Sequence, residues 1–117
     1  MSLILLVDDE PGGLEIRKML LEREGHHVLT AADAGGARAC FRRNAIEYVI
    51  LDLRLPQPED GLALVREFRA ASPDLRIIVL AGWSADLEGR PERILVNEVL
   101  AKPVRSERLI SSVRKRA

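Results

Sequence analysis

Apolar residues fall along the chain in two alternating patterns. Short, mainly apolar segments occupy 26–31, 75–81 and 98–101, and continuous apolar runs occupy 3–7 and 48–51. Runs of that kind fit strands buried on both faces of a parallel sheet better than half-exposed strands. Between them the apolar positions recur at helical spacing. Residues 11–24 carry Leu14, Ile16, Met19, Leu20 and Leu21 as a broad apolar face, with Gly25 placed where a helix ends. In 34–43 the pattern is Ala37, Cys40 and Phe41, although Gly35 and Gly36 weaken the start of that helix. Leu64, Val65 and Phe68 share one face of 62–71, which Ser72-Pro73 ends, and Leu109, Ile110 and Val113 point inward from 106–115. The segment 84–97 is interrupted by Gly89 and Pro91, so only a turn or two of helix is expected, at about 91–96. The alternation predicts five strands and five helices. Right-handed crossovers then give an α/β fold, a five-stranded parallel sheet flanked by helices on both faces.

Length and composition narrow the classes without naming one. A chain of 117 residues fits one domain with a core of its own. Eighteen basic residues balance eighteen acidic ones, so no global field recruits nucleic acid or a membrane surface. The single cysteine, Cys40, cannot form an internal disulfide, and the adjacent His26 and His27 give no zinc-ligand spacing. The apolar run after Met1 is short and ends in three acids, which does not fit a signal peptide. The expectation is a cytoplasmic protein.

The chemistry lies at the ends of the strands. The run 48–51 delivers Asp52, and the run 3–7 delivers Asp8, Asp9 and Glu10. Two parallel strands would bring these acids together at the carboxyl edge of the sheet, where open α/β folds bind ligands. Converging carboxylates repel one another unless a cation compensates them. Mg²⁺ suits such a site, because it accepts one or two carboxylates and leaves part of its shell for phosphate oxygens. Taken alone, Asp52 reads more simply as the cap of a turn before Pro56, and Lys102 as a solvated lysine. His26 and His27 read as a strand entry, with the two rings on opposite faces. Trp83 reads equally as a shield for the site or as a loop residue packed on its neighbours. Arg114 to Arg116 fit the cations expected at a helix carboxyl end.

Three short motifs change that balance. Leu5-Leu-Val-Asp-Asp-Glu10, Leu51-Asp-Leu-Arg-Leu-Pro56 and Ala101-Lys-Pro103 follow strands one, three and five in order. In this arrangement the chain resembles the response-regulator receiver domains of two-component signalling over essentially its whole length, as a single domain spanning 1–117. The resemblance implies the flavodoxin-like strand order 2-1-3-4-5. It also implies that Asp52 is the phospho-acceptor, Asp9 a direct Mg²⁺ ligand, Asp8 a ligand through water, and the Arg54 carbonyl a further ligand. Lys102 and the backbone N–H of Gly82 would meet the phosphate. The implied partners are a sensor histidine kinase or phosphotransfer protein upstream and a downstream protein or lost output domain, with no direct nucleic-acid or membrane contact. The chain holds no DNA-binding helix pair or catalytic output domain, so a stand-alone receiver or a piece of a longer protein is expected.

The departures from the family pattern are as informative. The family usually has Thr or Ser where this chain has Ala81, and often Tyr or Phe where it has Val99, so the conformational switch is degenerate. The loop 56–61 reads as one residue longer than the common pattern and stiffened by Pro58. Two other readings compete with the phospho-acceptor. One is a pseudo-receiver, a docking module independent of phosphorylation, which Ala81 and Val99 suggest. The other is a hydrolase of the haloacid-dehalogenase type, disfavoured because Arg54 stands where that pattern has a second Asp. No enzymatic turnover beyond self-phosphorylation and autodephosphorylation is expected.

Overall fold

The computed structural model describes residues 2–114. Five strands, β1 Leu3–Val7, β2 His27–Ala31, β3 Tyr48–Asp52, β4 Arg76–Ala81 and β5 Glu98–Ala101, form one parallel sheet in the order β2-β1-β3-β4-β5. All four neighbouring pairs run parallel. Tyr48 to Asp52 are buried without exception, as a central strand covered on both faces requires.

Alternate residues of the central strands feed two cores. Leu5, Val7, Val49, Leu51, Ile77 and Val79 pack on one side with Ala37, Leu64 and Phe68. Those partners come from α2 Ala34–Arg43 and α3 Pro58–Ala71. Ile4, Leu6, Tyr48, Ile50, Ile78 and Leu80 pack on the other side with Leu21, Leu109 and Val113. Leu21 belongs to α1 Pro11–Arg23 and Leu109 to α4 Ser106–Ser112. The period of two therefore divides each strand between a pair of helices, and the sheet edge carrying Asp52 stays open between them.

Three helical expectations need correction. The fourth helix is a 3-10 turn at Pro91–Leu95, preceded by another at Ser84–Asp86, so the described residues form four α-helices. Arg90 and Val96 are both extended, so the segment between them is five residues long, too short for an α-helix to propagate. The third helix begins at Pro58, four residues before Leu62, and the loop expected over 56–61 is partly its first turn. Pro58 fits because the first helical position needs no N–H donor, and the Asp60 carboxylate accepts from the Gln57 N–H at 2.9 Å. The closing helix stops at Ser112, and Lys115 lies outside the described residues.

The inward face of α1 also differs from the apolar set. Ile16 and Met19 are 62% and 57% exposed, whereas Leu21 is buried and Leu14 packs against the core. The inward stripe runs Leu14, Arg17, Leu21, at helical spacing. A cation occupies its middle because a buried carboxylate, Asp8, waits beneath it.

Candidate phospho-acceptor site

Parallel register builds the site. Val7 pairs with Leu51 across β1 and β3, so Asp8 and Asp52 are each one step beyond a matched pair at the same edge. On the far side of β3, Asp52 pairs with Leu80, which brings Ala81 and Gly82 alongside. Ala81 pairs in turn with Ala101, and the Lys102 N–H donates to the Ala81 carbonyl at 3.0 Å. Four strand ends thus converge.

Asp52 is buried, and its two oxygens are both engaged. Oδ2 accepts from Lys102 Nζ, and Oδ1 from the Arg54 N–H at 3.2 Å. Gly82 lies against the Lys102 stem, where an added Cβ would sit 3.9 Å from Cδ. Asp8 is buried as well, with Oδ1 accepting from the Glu10 N–H at 3.0 Å and Oδ2 from Arg17 Nη1 at 2.7 Å. Asp9 is exposed. The expected repulsion among carboxylates is offset by two cations of the chain itself, Arg17 and Lys102. Among the described residues no three acidic or other ligating side chains are grouped around a common point.

A second set of contacts surrounds Arg54, two residues past Asp52. The Arg54 guanidinium forms a two-pronged pair with Asp86, Nε to Oδ2 at 2.7 Å and Nη2 to Oδ1 at 3.0 Å. Those bonds raise the Arg54 pKa above its usual range. The same guanidinium lies 5.9 Å from the centroid of the exposed Trp83 ring. In the loop that follows Asp52, the Gly61 N–H donates to the Leu53 carbonyl at 2.9 Å.

The family model described as Response regulator receiver domain matches residues 4–114. The chain belongs to that family. Among its relatives, the transcriptional regulatory protein AruR of Pseudomonas aeruginosa is 35% identical over 118 residues, covering 92% of this chain and 46% of AruR. This receiver domain therefore spans less than half the length of that curated relative. Among solved structures, the response regulator protein TrrA of Thermotoga maritima, in complex with Mg²⁺-BeF, superposes with a TM-score of 0.88. It is 31% identical, with 98% of both chains covered. A receiver domain protein of Clostridium thermocellum gives a TM-score of 0.86 at 30% identity, covering 97% of this chain and 92% of that one. AruR is a transcriptional regulatory protein, and this relative stands against the expectation of no direct nucleic-acid contact.

The receiver fold brings Asp8, Asp52, Arg54, Ala81, Gly82 and Lys102 to one edge. Val99 sits one layer back, half-buried and paired with Val79 on β5. Three contributors were missed in the sequence: Arg17, Asp86 and Gly61. Arg17 had a signal, since it lies three residues after Leu14 and four before Leu21. Asp86 had none, because its pairing with Arg54 depends on the path of an irregular loop. Among the described residues, no helix is long and apolar enough to cross a membrane.

Proposed function

We propose that Asp52 accepts a phosphoryl group from a phosphohistidine on a sensor histidine kinase or phosphotransfer protein. The observation that carries this reading is a buried Asp52 ending the central strand, paired with Lys102 and level with Asp8 at the end of the neighbouring strand. In the reaction an Asp52 oxygen forms a bond to phosphorus as the P–N bond to the donor imidazole breaks, leaving its electron pair on nitrogen. Lys102 then moves from carboxylate to phosphoryl oxygen, and the Gly82 N–H offers a second donor.

The donor set suits Mg²⁺ in chemistry, with hard oxygens from Asp8, Asp9, Asp52 and the Arg54 carbonyl, all carried at or just beyond the ends of paired strands. When bound, the ion neutralises charge between the carboxylate and the incoming phosphoryl group. TrrA in its Mg²⁺-BeF complex, at 31% identity, supports that assignment by likeness. The pseudo-receiver remains a second reading because the chain's own cations already hold two of the carboxylates.

Phosphorylation should move the distant face little. Ala81 cannot donate a hydrogen bond to the phosphoryl group, and Val99 supplies no aromatic ring to fill space behind it. One hydrogen bond to a charged group contributes roughly 1.5–3 kcal/mol, while carrying a two-state equilibrium from 1:99 to 99:1 takes about 5.5 kcal/mol. Beryllofluoride with Mg²⁺ should therefore give large amide shift changes over 52–56 and small ones over 92–100. Ala81→Thr combined with Val99→Tyr should enlarge the second set. Equal changes at both segments in the unaltered chain would contradict the degenerate switch, and no change at either would contradict the phospho-acceptor.

A further inference from the structure

Asp8 already has a cation. We infer that Arg17 is a tethered counterion of Asp8 which a divalent cation must displace, so that this arginine sets the metal affinity of the site. The inference rests on the phospho-acceptor reading, since it concerns the ion that reading requires.

Three features make the pair a built one. Its carboxylate is nearly inaccessible, with Asp8 at 4% and Arg17 at 19% side-chain exposure, which separates it from the solvated ion pairs elsewhere on the surface. Bulk water screens such a pair poorly. The guanidinium also has a made-to-measure opening. A Cβ on Gly13 would lie 3.0 Å from Arg17 Nη1 and 3.5 Å from Asp8 Oδ2, so the guanidinium reaches the carboxylate through space that a side chain at this position would narrow. Finally, Arg17 leaves α1 from the inward stripe between Leu14 and Leu21, so its stem is directed to the sheet edge by helix packing.

The consequence follows from charge and valence. Asp8 has one oxygen on the Glu10 N–H and the other on Arg17, and a cation approaching the acids meets a guanidinium in its place. Arginine does not deprotonate in proteins, so raising the pH provides no release. Release requires the side chain to swing out, and binding of the ion is weakened by whatever that contact contributed. Asp9, exposed at the rim, stays available throughout.

The test is titration of the full chain with MgCl₂, followed by calorimetry and by Trp83 emission, Trp83 being the sole tryptophan. Arg17→Met keeps the stem and removes the charge, and it should bind Mg²⁺ about tenfold tighter or more, the range expected for losing a charged hydrogen bond. Gly13→Ala, which crowds the guanidinium while favouring the helix, should shift affinity in the same direction by less. It also serves if Arg17→Met folds poorly. In the unaltered chain the Arg17 side-chain N–H resonances should move on saturation with Mg²⁺. A purely structural Arg17 would lower the metal-free melting temperature when replaced but leave Mg²⁺ affinity equal or weaker, and that result overturns the inference alone. No Mg²⁺ binding by any of the three chains overturns the inference together with the metal-dependent reading.

Discussion

Gly61→Ala is expected to destabilise the chain by about 3 kcal/mol or more, an unusually large effect for adding one methyl group. The Cβ would lie 2.4 Å from both the Leu53 Cα and the Leu53 carbonyl oxygen, and these are backbone atoms with no rotamer to relieve them. Alanine favours a helix interior over glycine by up to about 1 kcal/mol, which offsets only part of the clash. The Gly61 N–H bond to the Leu53 carbonyl, at 2.9 Å, would be strained at the same time. Leu53 is the residue after Asp52, so the acceptor would shift along with its loop. Denaturant unfolding provides the measurement, read as a lower midpoint at unchanged slope. A loss below about 1 kcal/mol would mean that the loop yields easily and that the close approach does not fix the acceptor.

Lys102→Met should act in opposite directions on two ligands. Removing the ammonium leaves the buried Asp52 carboxylate with only the Arg54 N–H, which costs the metal-free protein about 1–3 kcal/mol. Beryllofluoride binding in the presence of Mg²⁺ should weaken about ten- to a hundredfold, because a charged donor to the phosphoryl oxygens is gone. Mg²⁺ alone should bind more tightly than to the unaltered chain, since the ammonium no longer competes for Asp52. Methionine keeps the stem that packs beside Gly82, which separates loss of charge from loss of packing. Weaker Mg²⁺ binding in this variant would show that Lys102 organises the carboxylates instead of competing for one of them.

Much of the architecture is legible because short, continuous apolar runs alternating with stretches of helical spacing have few other readings. The runs at Tyr48 to Leu51 and Leu3 to Val7 both read as buried parallel strands that deliver acids from the same edge, and the register that pairs Val7 with Leu51 is added by the structure. Asp8 and Asp52 meet for that reason. The polar partners were less legible. Arg17 was passed over because apolar spacing alone defined the face of α1, so Ile16 and Met19 were assigned to the core while a charged residue took the inward position. A helix face is chosen by everything beneath it, including a carboxylate. The early start of α3 was hidden by prolines that normally mark loops, although Pro58 suits a first helical turn. Between β4 and β5 the chain is irregular, and no periodicity reports the path that carries Asp86 to Arg54.

The central claim is that Asp52 is a working phospho-acceptor. Its most direct measurement is incubation of the chain with a small acyl-phosphate donor and Mg²⁺, followed by mass spectrometric location of the modified residue. One phosphoryl group on Asp52, dependent on Mg²⁺, labile to hydroxylamine and absent from Asp52→Asn, is the predicted result. A chain that stays unmodified under these conditions while correctly folded, or one modified equally in Asp52→Asn, would contradict it.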